Sequence, residues 1–236
     1  QEAMHRIVQA RTAGKFRSVD DLAGRAELSR QDLQALAAAG ALQSLGNDRH
    51  QAHWLATGHD RLPGVLQDTA CEQELPAASL LPVPTEAQNL VADYASLGLS
   101  LGRHPLALLR KELKERFQSR PAIELQELGH QQLARASGLV THRQRPGTAK
   151  GVVFITLEDE TGSINLIIWP DVLKKYKQAV LHGQLLTAYG RWQRDQTIAS
   201  DAPGQVTNLV ALRIEDHTPL LAQRLGEMAS SSRDFH

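Results

Sequence analysis

Carboxylates are the first side chains to inspect for chemistry, because pairs of them hold divalent cations in phosphoryl transfer. The densest acidic run here is Glu158-Asp159-Glu160. Two-metal sites need carboxylates converging from separate elements, so this contiguous run reads as the solvated end of a strand and its turn. His50 and His53 fall on one helix face with His59 nearby, but no Cys or acid at a suitable spacing completes a four-ligand set, and they read as scattered surface histidines. Cys71 is the one cysteine. It excludes an internal disulfide framework and a Cys-rich zinc site, fits a reducing compartment, and has no neighbouring base in sequence to activate it. No catalytic residue, metal ligand or cofactor is expected in this stretch.

Aromatic and basic side chains remain. Aromatics make up only 4% of the sequence, beside an ordinary 42% hydrophobic and 22% charged residues, so each ring is worth placing. The 26 basic residues balance 26 acidic ones, which excludes a protein that coats nucleic acid by charge alone; any electropositive surface must be local. Between residues 129 and 198 nine Lys and Arg stand against five Asp and Glu, a local net of +4.

The elements that must position these residues follow from periodicity. Residues 1–57 carry helical signals throughout, with Ser18 and Ser29 as N-caps and Gly40 where a helix ends left-handed. HQAHWLA is a further helical piece whose Trp54 and Leu55 are expected to pack on the others. Residues 58–128 read as a proline-containing linker and helices, with Pro63, Pro76, Pro82 and Pro84 before a helix capped by Thr85. Further on, Leu106, Leu109, Leu113 and Phe117 line one helical face.

From Ile123 the period changes from about 3.6 to 2. ASGLVTHRQRP, GVVFITLED and SINLIIW are strand candidates, followed by the helix DVLKKYKQAVL begun by Pro170, then the strands QLLTAYGRWQR and QVTNLVALRIED. Three strands, a helix and two strands is the order of a five-stranded OB-fold barrel, assigned here to residues 129–220. Residues 221–236 read as a flexible polar tail. The fold class is α+β and multidomain: a helical region, a helical linker and a C-terminal barrel. No run approaches the roughly 18 apolar residues of a membrane span, and QEAMHRIVQAR reads as helix without a signal-peptide pattern. A cytoplasmic chain continued from a longer one, with no membrane partner, is expected.

In the barrel, Val153, Ile155 and Leu157 set one core phase and Ile164, Leu166 and Ile168 the other. Phe154, Thr156 and Glu158 then point outward, as do Asn165, Ile167 and Trp169. The opposite phase would bury Glu158 and Asn165 at a cost of several kcal/mol. Phe154, Thr156, Asn165 and Trp169 are therefore candidates for a base-stacking platform on the strands OB folds use for oligonucleotides. Arg143, Arg145 and Lys150, placed on the loop between the first two strands, and Arg191 and Arg194 around Trp192 are the candidate phosphate contacts. The alternative is that Phe154 and Trp169 pack against the preceding helical domain.

Four stretches in order resemble the C-terminal half of bacterial error-prone DNA polymerases related to the replicative alpha subunit. KFRSVDDLAGRAELSRQDLQALAAAGALQSLG is similar to the family's helix-hairpin-helix region and DYASLGLSLGRHPLALLR to its connecting segment. GVVFITLEDETGSINLIIWPDV resembles its OB core, and SRDFH its ending. The resemblance implies a catalytic palm, with its magnesium, outside these residues. It implies single-stranded or primer-template DNA as ligand and accessory mutagenesis proteins as partners, with sliding-clamp contact indirect through them. The OB segment is also similar to tRNA anticodon-binding domains, in which the equivalent Phe stacks on a base and an Arg often stands where this chain has Glu158.

Overall fold

The computed structural model describes residues 2–58, 81–194 and 206–225, and the backbone of 233–234. His59, Cys71, Pro63 and Pro76 lie outside the described residues. The chain divides into two compact units, Gln1–Leu99 and Ser100–His236.

The first unit holds α1 (Glu2–Thr12), α2 (Val19–Arg25), α3 (Arg30–Ala38), α4 (Gln43–Gly46), α5 (Arg49–Gly58) and α6 (Glu86–Leu97). Side-chain caps start α2, α3 and α6. Ser18 Oγ accepts from Asp21 N, Ser29 forms a capping box with Asp32, and Thr85 forms one with Gln88. Leu22, Leu28, Leu33 and Leu42 fill the core with Ala37, Ala52 and Ala56. Trp54, expected in that core, is 60% exposed. The inward face of α5 is set by small residues: a methyl on Gly46 would meet the Ala52 backbone at 2.8 Å, so α4 and α5 touch with no room for a large ring. Arg49, 7% exposed, ties α5 to α6 by donating to the Asn89 carbonyl (2.8 Å) and pairing with Asp93.

The second unit begins with α7 (Pro105–Phe117) and α8 (Ala122–Leu125). Then come β1 (Leu133–Gln144), β2 (Val153–Asp159), β3 (Gly162–Ile168), α9 (Pro170–Lys175), α10 (Lys177–His182), β4 (Leu185–Arg194), β5 (Thr207–Asp216) and α11 (Thr218–Leu225). The strands run in the order β2-β3-β5-β4-β1, and β1 returns to pair with β2, closing a five-stranded OB-fold barrel. The long β1 serves both halves: Leu133 to Leu139 pair with β4, and Leu139 to Gln144 with β2. Inside lie Ile155, Leu157, Ile164, Leu166, Ile168, Leu209 and Trp192. At the β4–β5 register shift a methyl on Gly190 would stand 2.0 Å from the Val210 carbonyl oxygen, so only glycine fits the crossing.

The single helix expected after Pro170 is two, broken at Tyr176 (φ −115°, ψ 32°), whose ring packs on the barrel core. Residues 221–225, placed in a tail above, continue α11, because Leu220, Leu221 and Leu225 are buried. Two residues further along the chain, Arg233–Asp234, form β6 beside His142 and Arg143 of β1.

Of the acidic run only Glu158 is exposed, as expected. Asp159 is buried, and it accepts from Ala122 N (2.7 Å), Thr161 N (2.7 Å), Thr161 Oγ1 (2.7 Å), Gly162 N (3.0 Å) and Arg110 Nη2 (3.1 Å). Glu160 takes Arg110 Nε at 2.5 Å. Burial alone would lower the Arg110 pKa, but its hydrogen bonds to and attraction by Glu160 and Asp159 raise it. Asp159 and Glu160 thus bind α7 and α8 to the β2–β3 turn.

His104 caps α7, its Nδ1 accepting from Leu106 N at 3.2 Å, and His217 stacks on Phe117 with 3.8 Å between ring centroids. Both are pushed below the ordinary 6.5, in each case chiefly by burial, which outweighs the raising effect of nearby carboxylates. Each binds its proton more weakly folded than unfolded, so the stabilisation is complete above the unfolded value and lost as pH falls below it toward the folded one. Thermal unfolding should therefore occur at a lower temperature at about pH 5.5 than at about pH 7.5. His104→Asn, which preserves a capping oxygen, should shrink that difference.

Candidate nucleic-acid interface

Barrel closure fixes two rows of outward side chains. Along one, Phe154 stands opposite Ile167, Ile167 beside Val210, and Val210 opposite Arg191. Along the next, Thr156 stands opposite Asn165, Asn165 beside Asn208, and Asn208 opposite Gln193. The first row offers apolar surface ending in a cation. The second offers hydroxyl and amide groups that can donate and accept, with Thr156 Oγ1 3.2 Å from Asn165 Oδ1.

Phe154 is 36% exposed and Trp169, which follows β3 directly and precedes α9, is 55% exposed. Both sit on the outer phase where the core alternation left them. Asn165 is a diagonal neighbour of Phe154 on β3, and Trp169 follows Ile168, the partner of Val153, at the end of the same ladder. The loop joining β1 to β2 folds toward this end: Gly151 (φ +86°) lies 3.6 Å from Pro170 Cγ by its would-be methyl, and an Arg145 nitrogen lies 4.0 Å from the same point. Arg145 and Lys150 are exposed, and among the described residues neither has a carboxylate partner. Arg191 is exposed as well.

Two candidates belong elsewhere. Arg143 is not on the loop but in β1, opposite Ile155 and on the inner phase. Its guanidinium donates to the Val180 carbonyl (2.9 Å) and the Gly183 carbonyl, closing the C-terminal end of α10. Arg194 donates through Nε to the Leu128 carbonyl at 2.8 Å and through its backbone N–H to His130 at 3.2 Å. These two arginines brace the barrel. Trp192, between Arg191 and Arg194, is fully buried. A period-2 reading of β4 with Ala188 and Gly190 inward signals that burial. The end of β1 gives no such signal, because the loop's start could not be seen. Asn208 and Gln193 carry no signal in the sequence, because Asn208 joins the amide row through the parallel β3–β5 pairing and Gln193 through the antiparallel β4–β5 pairing.

In the first unit, the α2–α3 turn offers a poor anion cradle. Gly24 lies within α2 rather than in the turn, the left-handed turn residue is Glu27 (φ 49°), and Arg6 donates to the Ala26 carbonyl at 2.9 Å. His50 Nδ1 sits 2.9 Å from the Pro82 carbonyl oxygen. Among the described residues no group of three His, Cys, Asp or Glu could hold a metal ion, and no helix is long and apolar enough to cross a membrane.

The OB-fold nucleic acid binding domain family matches residues 135–216, and the helix-hairpin-helix motif family matches residues 1–52. An error-prone DNA polymerase of Ralstonia nicotianae is 47% identical over 99% of this chain and 21% of its own length. The chain is homologous to a segment of the error-prone DNA polymerases. Those of Alkalilimnicola ehrlichii and Pseudomonas fluorescens are 44% and 41% identical over the whole chain, each across 22% of its own length. The chain thus spans about a fifth of the curated relatives it matches. Among solved structures, asparaginyl-tRNA synthetase from Pyrococcus horikoshii is 21% identical over 42% of this chain and 22% of its own, with a TM-score of 0.34. Aspartyl-tRNA synthetase from Entamoeba histolytica is 12% identical over 42% of this chain and 21% of its own, with a TM-score of 0.33.

The different duties of the arginines predict a separation of phenotypes. Arg143→Ala should cost about 1.5–3 kcal/mol of stability, the range for hydrogen bonds from a charged donor. Arg191→Ala should change stability by less than about 0.5 kcal/mol. Urea unfolding midpoints of the two variants check this.

Proposed function

We propose that the barrel holds single-stranded DNA, at the template or the primer-template junction, for an error-prone polymerase. Phe154 carries this reading: a large ring left exposed on the outer phase of β2, with Trp169 exposed just beyond β3 and an amide row beside it. Bases stack on such rings regardless of sequence, and the neighbouring amides and hydroxyls reach base edges without demanding one base. Arg145, Lys150 and Arg191 supply phosphate contacts around the platform. Glu158, also exposed on the outer phase of β2, limits how far a phosphate backbone can run along that strand.

Residues 1–236 serve in binding rather than catalysis. Nucleotidyl transfer, with the magnesium it uses, falls to other parts of the polymerase, and accessory mutagenesis proteins bring contact with the sliding clamp. The setting is lesion bypass in the cytoplasm.

Fluorescence anisotropy of a labelled single-stranded oligonucleotide tests the reading. Phe154→Ala should weaken binding between about fivefold and about 150-fold, the span of 1–3 kcal/mol per stacked base. With three phosphate contacts, log affinity should fall against log salt with a slope of about −2, and Lys150→Ala should reduce that slope by about 0.7. Equal affinity of Phe154→Ala and the parent chain would sink the stacking platform.

A further inference from the structure

The outer side of the other half of the barrel, made by β1, β4 and β5, carries a concavity of about 660 Å³ that the β2–β3 face does not include. Across its floor Tyr189 of β4 stands opposite Arg135 of β1 and Arg213 of β5. The end of α7 forms one wall with Arg116 and Phe117, and the end of α9 another with Lys175 and Tyr176. Four cations thus surround the space with one carboxylate, Glu215, and that carboxylate is already held by Arg213 at 2.6 Å. The nearby Glu112 is likewise shared by Arg116 and Arg224.

Cations and rings are interleaved rather than segregated. The Arg135 guanidinium lies 5.4 Å from the centre of the Tyr189 ring, Lys175 Nζ 5.3 Å from that of Tyr176, and the Arg116 guanidinium 5.3 Å from that of Phe117. Arg135 and Lys175 are exposed, and among the described residues neither pairs with a carboxylate. Among the described residues Arg135 donates to neutral groups alone, Gln118 Oε1 at 3.2 Å and the Phe117 carbonyl at 3.5 Å.

We infer that this concavity binds one nucleotide, its phosphate on Arg135 and Lys175 and its base against Tyr189 and Tyr176. A metal ion is repelled by the four cations. An uncharged apolar ligand would leave them desolvated without a counter-charge. A group that is flat and aromatic at one end and anionic at the other satisfies both halves of the lining, and the volume lies in the range of small-ligand sites. The nucleotide arrives either free or as one unit of a strand. This inference is independent of the β2–β3 platform, since the two faces share none of the residues invoked.

The test uses the whole chain with a fluorescent anthraniloyl derivative of deoxyadenosine monophosphate as probe. Unlabelled deoxyadenosine monophosphate should displace the probe, whereas deoxyadenosine or inorganic phosphate at equal concentration should not. Arg135→Glu with Lys175→Glu, both surface changes, should weaken probe binding at least about tenfold, because two charge contacts become repulsive. Tyr189→Leu should also weaken it, and Phe154→Ala should leave it unchanged. Displacement by a five-nucleotide single strand at lower concentration than by the mononucleotide identifies a strand as the occupant; the reverse order identifies a free nucleotide. The inference is overturned if the probe fails to bind, if the double charge reversal does not weaken it, if phosphate alone competes as well, or if Phe154→Ala removes the binding.

Discussion

Closure of the barrel through β1 is the constraint on which the other features depend. Because one strand pairs with β4 along its first half and with β2 along its second, no strand can slip by a residue without turning its apolar set outward. The core of Ile155, Leu157, Ile164, Leu166 and Leu209 therefore dictates that Phe154, Asn165, Val210 and Arg191 face water. The exposed ring is a consequence of alternation, and so is its neighbourhood. Gly190 shows how tight this is: the β4–β5 crossing brings backbone so close that a methyl has nowhere to go.

The peripheral elements are fastened to that closed frame by charge rather than by apolar area alone. Arg110 reaches from α7 to Asp159 and Glu160 at the β2–β3 turn, Arg143 reaches from β1 to the end of α10, and Arg194 reaches from β4 to the chain before β1. A buried charge with a partner removed is costly, so these contacts fix geometry as much as they stabilise it. Among the described residues, Arg145, Lys150 and Arg191 on one side and Lys175 on the other make no such contact, and Arg135 reaches neutral groups at the end of α7. Sorting the basic residues this way turns a weak net charge into two localised electropositive surfaces.

Alternation of apolar residues made the barrel legible in the sequence. The β2 and β3 phases, the outward Phe154 and Trp169, and the caps Ser18, Ser29 and Thr85 all follow from local rules. What local rules could not supply was partnership at a distance. Asp159 and Glu160 looked solvated because Arg110 lies about 50 residues earlier. Arg143 looked like a loop residue because nothing in RQRP marks where β1 stops. Trp54 looked like core because a large ring suggests burial, whereas the small residues Gly46, Ala52 and Ala56 had claimed the contact. The Tyr189 concavity was invisible because its residues come from five elements spread over a hundred positions.

Where a strand lies on the barrel can be read directly by photocrosslinking. A single-stranded oligonucleotide carrying 5-bromodeoxyuridine would be irradiated with the chain, and the adducts mapped by peptide mass spectrometry. The account predicts adducts at Phe154 and Trp169 on the β2–β3 face. Adducts confined to the helices of the first unit, with none on that face, would contradict it.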